Sequence, residues 1–266
     1  PFQMLTQLPL TADHWAQIAR TGSWQMVRQN LNTFLRKGVF ADALMVEQVA
    51  AKLRDPKAVS KARAFPYQMM VAAKHASDEM PREIVDALHD AMELAVRNVP
   101  KVAGEVVICP DVSASMTWPV TGYRKGASSA VRHVDVAALV AASFMRVNRK
   151  CQVLPFEVRV RNARLNPRDT ILTNAERLSA LAGGGTNCSA PLRWLNDRRA
   201  APDLVVFVSD NQSWVDAGGG RQSTAMMQEW AALKRRNPQA KLVCIDIAPY
   251  GTTQAQTRPD VLNIGG

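Results

Sequence analysis

Through the first hundred positions apolar residues recur at helical spacing. Residues 12–20, 24–37, 41–53, 66–75 and 81–97 each place them on one face and predict helices. The punctuation agrees: Gly38 follows the second segment as a stop, Asp55-Pro56 ends the third, and Pro81 suits a first helical turn after Ser77-Asp78. Strand alternation is absent from this stretch. Val99-Pro100-Lys101 reads as a short linker, dividing the chain into a helical segment, 1–100, and a second domain, 101–266.

Beyond the linker the pattern changes to strand and helix in turn. Residues 105–109 form a short apolar run of the buried parallel-strand kind, and 134–147 an apolar helix. Strands are expected at 151–156, 204–209, 241–247 and 261–264, with helices at 174–181, 190–195 and 225–235. This order predicts an α/β fold, a Rossmann-like doubly wound and mostly parallel sheet, preceded by an α-helical segment. No helix follows the last strand and the chain opens on Pro1, so a piece of a longer protein is expected.

Composition narrows the class. A hydrophobic content of 47% supports a core, and no apolar run approaches the roughly 18 residues of a membrane span. Cys109, Cys151, Cys188 and Cys244 are scattered without a CxxC pair, and no histidine stands at zinc-ligand spacing from them. Buried reduced thiols are expected, which with no secretory leader favours the cytoplasm. The net charge is +10, with 12 basic and 10 acidic residues before position 101 and 21 and 13 after it. Such an excess suits nucleic acid, and equally a solvated basic surface.

The chemistry concentrates after the first strand of the second domain. Asp111, Ser113 and Ser115, in Cys109-Pro110-Asp111-Val112-Ser113-Ala114-Ser115-Met116, alternate a carboxylate and two hydroxyls in a loop at a strand's carboxyl end, where ligands of doubly wound sheets bind. Hard oxygens at that spacing suit Mg²⁺. Gly183-Gly184-Gly185-Thr186-Asn187 offers another hydroxyl, and Val208-Ser209-Asp210-Asn211 puts Asp210 at the end of another buried strand. Taken singly, a serine-rich turn is often a helix cap and a glycine run only a loop.

DxSxS, GGGTN and a strand ending in SD, in this order, resemble the metal-ion-dependent adhesion site of von Willebrand factor A domains. The resemblance implies Mg²⁺, or another divalent cation such as Mn²⁺ or Ca²⁺, contacted by Ser113, Ser115 and Thr186 and held through waters by Asp111 and Asp210. Only two carboxylates stand among these five, leaving positive character for an acidic group of a partner. A further resemblance spans nearly the whole chain. Residues 62–67 (ARAFPY), 111–116 (DVSASM), 184–191 (GGTNCSAP) and 207–214 (FVSDNQSW) are similar to TROVE-module proteins, the Ro autoantigen family and its bacterial relatives. It implies HEAT-like helices before the adhesion domain, and binding of small noncoding Y-like RNA and misfolded RNA in RNA quality control or processing. This chain would hold only the last helices of that ring.

Candidate RNA contacts are Arg124, Lys125 and Arg132, in the long segment 117–133 beside the metal loop, and Arg159 and Arg161, placed on one face if their segment is a strand. Arg164 and Arg168 follow them. The alternatives are a loop with incidental charge and an edge strand protected by its charges. Lys234-Arg235-Arg236 reads as a helix terminus, and Trp15, Trp24, Trp194 and Trp230 as packing residues. Two functions compete: a noncatalytic RNA-binding protein, and a metal-dependent protein-interaction module with no RNA role. Catalysis is disfavoured, since Ser113 stands where a phosphatase would want its second carboxylate and no GxSxG elbow occurs. No membrane partner is expected.

Overall fold

The computed structural model describes residues 8–120, 130–210, 223–248, 255 and 258–265. The chain divides into two compact units, Pro1–Val99 and Pro100–Gly266.

The first unit is helical: α1 (Ala12–Thr21), α2 (Trp24–Gln29), α3 (Leu31–Arg36), α4 (Ala43–Leu53), α5 (Pro56–Lys61), α6 (Pro66–Lys74) and α7 (Arg82–Ala95). Side-chain oxygens of Thr11, Ser23, Asp42 and Asp55 accept from the first backbone N–H groups of α1, α2, α4 and α5, donors that a helix cannot satisfy internally. Residues 24–37 form two helices rather than the single one expected. The break falls at Asn30 (φ −116°, ψ 15°), whose side-chain amide donates to the Met26 carbonyl at 2.8 Å, the local competition that makes Asn a poor interior helix residue. Asp55-Pro56, expected only as a stop, also starts α5, with Asp55 as its cap and Pro56 in its first turn. Ile84, Leu88 and Met92 of α7 are fully buried, and α7 packs against α4, α5 and α6. Trp15 meets Phe34 edge-on at 6.5 Å, and the Trp24 indole N–H donates to the Leu53 carbonyl at 2.9 Å.

The second unit is built on a five-stranded parallel sheet in the order β2-β1-β3-β4-β5. Its strands are β1 (Val106–Pro110), β2 (Cys151–Val153), β3 (Leu204–Ser209), β4 (Lys241–Asp246) and β5 (Val261–Gly265), and its helices α8 (His133–Val147), α9 (Ile171–Ser179), α10 (Ala190–Asp197) and α11 (Ser223–Lys234). Alternation along each strand sorts the two faces. Val107, Cys109, Val205, Phe207, Leu242 and Cys244 join Leu192, Leu195, Trp230 and Leu233 of α10 and α11 in one core. Their alternates, Val106, Ile108, Val206 and Val208, are buried on the other face. There α8 packs on β1, β2 and β3, and its buried Ala137, Ala138, Ala141 and Ala142 allow a close approach. Burial pushes the thiols of Cys151 and Cys244 up to about 12 and that of Cys109 well above its ordinary value, and none of the four cysteines takes part in a disulfide.

Because β1 lies between β2 and β3, the chain leaves β1 to one side and returns on the other. A doubly wound sheet opens its ligand crevice at such a switch point, at the carboxyl ends of the strands. Among the described residues no helix is long and apolar enough to cross a membrane.

Candidate metal centre at the carboxyl end of the sheet

Asp111 follows directly on β1 and is held by the sheet itself: its N–H donates to the Val208 carbonyl of β3 at 2.9 Å. One carboxylate oxygen accepts from the Ser113 N–H at 2.8 Å, and the other from the Ser209 hydroxyl at 2.6 Å. The loop then turns through a short 3₁₀ segment, Ser115–Thr117, which brings the Ser113 and Ser115 hydroxyl oxygens to 3.3 Å from each other. Two backbone hydrogen bonds stitch this loop to the glycine loop: Ala114 N–H to Gly184 O at 3.0 Å and Gly183 N–H to Val112 O at 2.8 Å. Thr186 is buried in that second loop, and Asp210 is buried at the end of β3. The fold therefore draws the three expected segments to one end of the sheet.

The electrostatics of the site centre on Asp111. Burial raises the Asp111 pKa to about 7, against the opposing pull of the Ser209 and Ser113 hydrogen bonds, and the nearby Asp210 charge raises it further. Two buried carboxylates thus lie close enough for one to feel the charge of the other. His133, the first residue of α8, is also buried, and its Nδ1 has no hydrogen-bond partner. Burial lowers its pKa while Asp210 pulls the other way. Its N–H donates to the Trp118 carbonyl at 3.0 Å, which ties the start of α8 to the end of the metal loop. Among the described residues no three His, Cys, Asp or Glu side chains gather as a metal cluster. The donors are mainly hydroxyls, a set that fits a hard, partly hydrated cation.

Glu157 and Asp246 are acidic residues that the sequence pattern did not single out. Asp246 ends β4 beside Ser209 in register and is buried. Glu157 is buried behind the glycine loop: its carbonyl accepts from the Asn187 N–H at 2.9 Å, and a Cβ at Gly184 would lie 2.3 Å from its Oε2. A strand-end position was the available signal for Asp246; nothing in the local sequence marks Glu157.

The candidate RNA contacts fare differently from the metal residues. Arg159 and Arg161 do not lie on a strand face. Pairing with β1 continues past the end of β2 to Phe156, whose N–H donates to the Pro110 carbonyl at 3.1 Å, and the chain then turns back on itself through a bridge between Phe156 and Val160. Both guanidinium groups lie near Glu157, at 3.8 and 3.4 Å. Arg132 pairs with Asp135 at 2.8 Å at the start of α8. Arg124 and Lys125 lie outside the described residues. Trp15, Trp24 and Trp230 are buried, and Trp194 carries the Arg198 guanidinium 3.8 Å above its ring.

Residues 105–266 match the family described as the Ro60 vWA domain. The chain belongs to that family. The Ro60 vWA match contains the whole candidate metal centre. The RNA-binding protein RO60 of Deinococcus radiodurans is 26% identical over 268 residues, covering 96% of this chain and 49% of that protein. The crystal structure of the Deinococcus radiodurans RO (RSR) protein shares the fold at a TM-score of 0.75 and 23% identity, over 96% of this chain and 52% of that one. The chain thus spans about half the length of these Ro relatives.

Proposed function

We propose that this chain is a noncatalytic RNA-binding protein of the Ro/TROVE type, taking small noncoding Y-like or misfolded RNA in RNA quality control or processing in the cytoplasm. The observation that carries this reading is the similarity along 96% of the chain to a protein named for RNA binding. In the same reading, residues 1–100 are the end of a HEAT-like array. Ser113, Ser115 and Thr186 hold Mg²⁺, Mn²⁺ or Ca²⁺ directly, with Asp111 and Asp210 acting through waters. The cation, when bound, supplies a Lewis-acidic position for an acidic group of a ligand or protein partner. The chain's own residues preorganise that position: Ser209 and the Ser113 N–H orient the Asp111 carboxylate, and the stitched glycine loop sets Thr186. The buried carboxylates of Asp111 and Asp210 support a cation here.

A second reading, a metal-dependent protein-interaction module, draws support from Arg132, Arg159 and Arg161, each of which lies beside a carboxylate. RNA binding measured with Mg²⁺ and with chelator separates the two. Binding of a structured noncoding RNA at low salt is expected, and its absence in both conditions would move the assignment to the protein module.

A further inference from the structure

The helical unit contains a pocket that the metal centre does not use. It has a volume of about 390 Å³ and lies between α2, α3 and α6, with Arg28, Gln29, Asn32, Tyr67, Gln68 and His75 in its wall. No acidic residue lines it. Its size falls within the range of about 300–1,000 Å³ usual for small-ligand sites.

Arg28 is the unusual member. It is only 9% exposed, and no ion pair among the described residues includes it. Its Nη1 donates to the Gln68 carbonyl at 3.0 Å, the Trp24 ring centre lies 5.9 Å from its Cζ, and its Nε has no hydrogen-bond partner. Burial lowers its pKa, yet a guanidinium remains charged at neutral pH. A buried cation without a counter-charge is costly unless an anion approaches it. Nε is sealed from solvent and Nη1 is bonded to the backbone, so Nη2 is the donor left for a ligand. A charged N–H of this kind suits a phosphate oxygen.

The surrounding wall is already fixed. Asn32 donates to the His75 carbonyl at 2.6 Å and accepts from the Ser77 N–H at 3.1 Å, while the Gln68 side chain accepts from the Phe65 N–H at 3.2 Å. Tyr67 is 40% exposed and stands on the same wall, presenting an aromatic surface next to the buried cation. A phosphate-binding cation beside an exposed ring is the pairing that single-stranded nucleic acid uses, one group for the backbone and one for a base. A carboxylate peptide would use only the cation.

We infer that this pocket binds one nucleotide of single-stranded RNA, with Arg28 on its phosphate and Tyr67 stacked on its base. The assignment rests on the RNA reading above. The test is fluorescence anisotropy of a short labelled oligouridylate at low salt, with the whole chain and its Arg28→Gln, Tyr67→Ala and Arg82→Gln variants. Arg82→Gln removes the same charge from an exposed position of the unit, its side chain being 91% exposed. Arg28→Gln should weaken binding about tenfold and Tyr67→Ala about fivefold or more, the range for a charge-assisted phosphate contact and one stacked base, with Arg82→Gln changing it less than about twofold. A 4-thiouridine oligonucleotide should cross-link to the α6 peptide containing Tyr67. Tyr67 is exposed, so its variant keeps the fold and carries the test if Arg28→Gln does not. Equal binding by all variants, with cross-links elsewhere, would overturn the pocket and leave the RNA reading standing. No RNA binding by the unsubstituted chain would overturn both. Arg28-dependent binding of an oligoglutamate peptide without RNA binding would overturn the nucleotide assignment in favour of a protein ligand.

Discussion

A single carboxyl group sets the chemistry of the candidate metal centre. Asp111 is fully buried, with only hydroxyl and amide donors and a second acid near it, so its pKa rises to about 7. In the metal-free chain the neutral acid is the form that burial tolerates. Its contribution to stability is complete below the ordinary carboxylate range and is lost as pH rises through about 7. Urea unfolding in chelator should show the midpoint falling over that window. Saturating Mg²⁺ should flatten the fall, because a cation favours the ionised form. Asp111→Asn should remove the slope and weaken Mg²⁺ binding by about 10–100-fold, the range for an outer metal partner. An unchanged slope in that variant would assign the titration to another group.

At the level of elements, the site depends on how loops are locked to one another rather than on any one strand. Gly184 has φ +80°, and a Cβ there would lie 2.3 Å from the Glu157 carboxylate. Gly184→Ala therefore combines left-handed backbone strain of about 1–2 kcal/mol with a steric clash. The expected loss of stability is about 2–3 kcal/mol by denaturant unfolding, with weaker metal binding. Adding Glu157→Ala should restore the steric part and leave the backbone part. Identical stability of single and double variants would remove Glu157 from the account. The same change frees Arg159 and Arg161 from their carboxylate, so Glu157→Ala alone should strengthen RNA binding if these arginines reach phosphate.

For the whole molecule the relevant quantity is charge. The chain carries a net charge of +10, and phosphate contacts release counterions. If about three or four phosphates are engaged, the log–log dependence of affinity on salt should have a slope of about −2 to −3 for single-stranded RNA. A flat salt dependence would mean that recognition does not run through phosphate. Part of the positive charge is already matched: Arg177 pairs with Asp169 and Arg193 with Glu229. Such pairs already cancel in the net figure, so the +10 resides on the remaining basic residues.

The sequence alone determined the parallel sheet, since β-branched runs separated by amphipathic helices have few other ways to bury both faces. It also marked Asp111, Ser113, Ser115, Thr186 and Asp210, because a motif at a strand end needs only local spacing to be seen. Local patterns did not reveal the break at Asn30 or the helix after Asp55-Pro56, where one side chain's hydrogen bond decides between continuing and restarting. Nor could they place Glu157 behind Gly184, turn Arg159 and Arg161 toward it, or leave Arg28 buried without a counter-charge beside Tyr67. Those relations join residues from different loops or helices, or depend on how one loop turns. Burial and charge pairing are properties of the space between elements, and only the tertiary structure decides what occupies it.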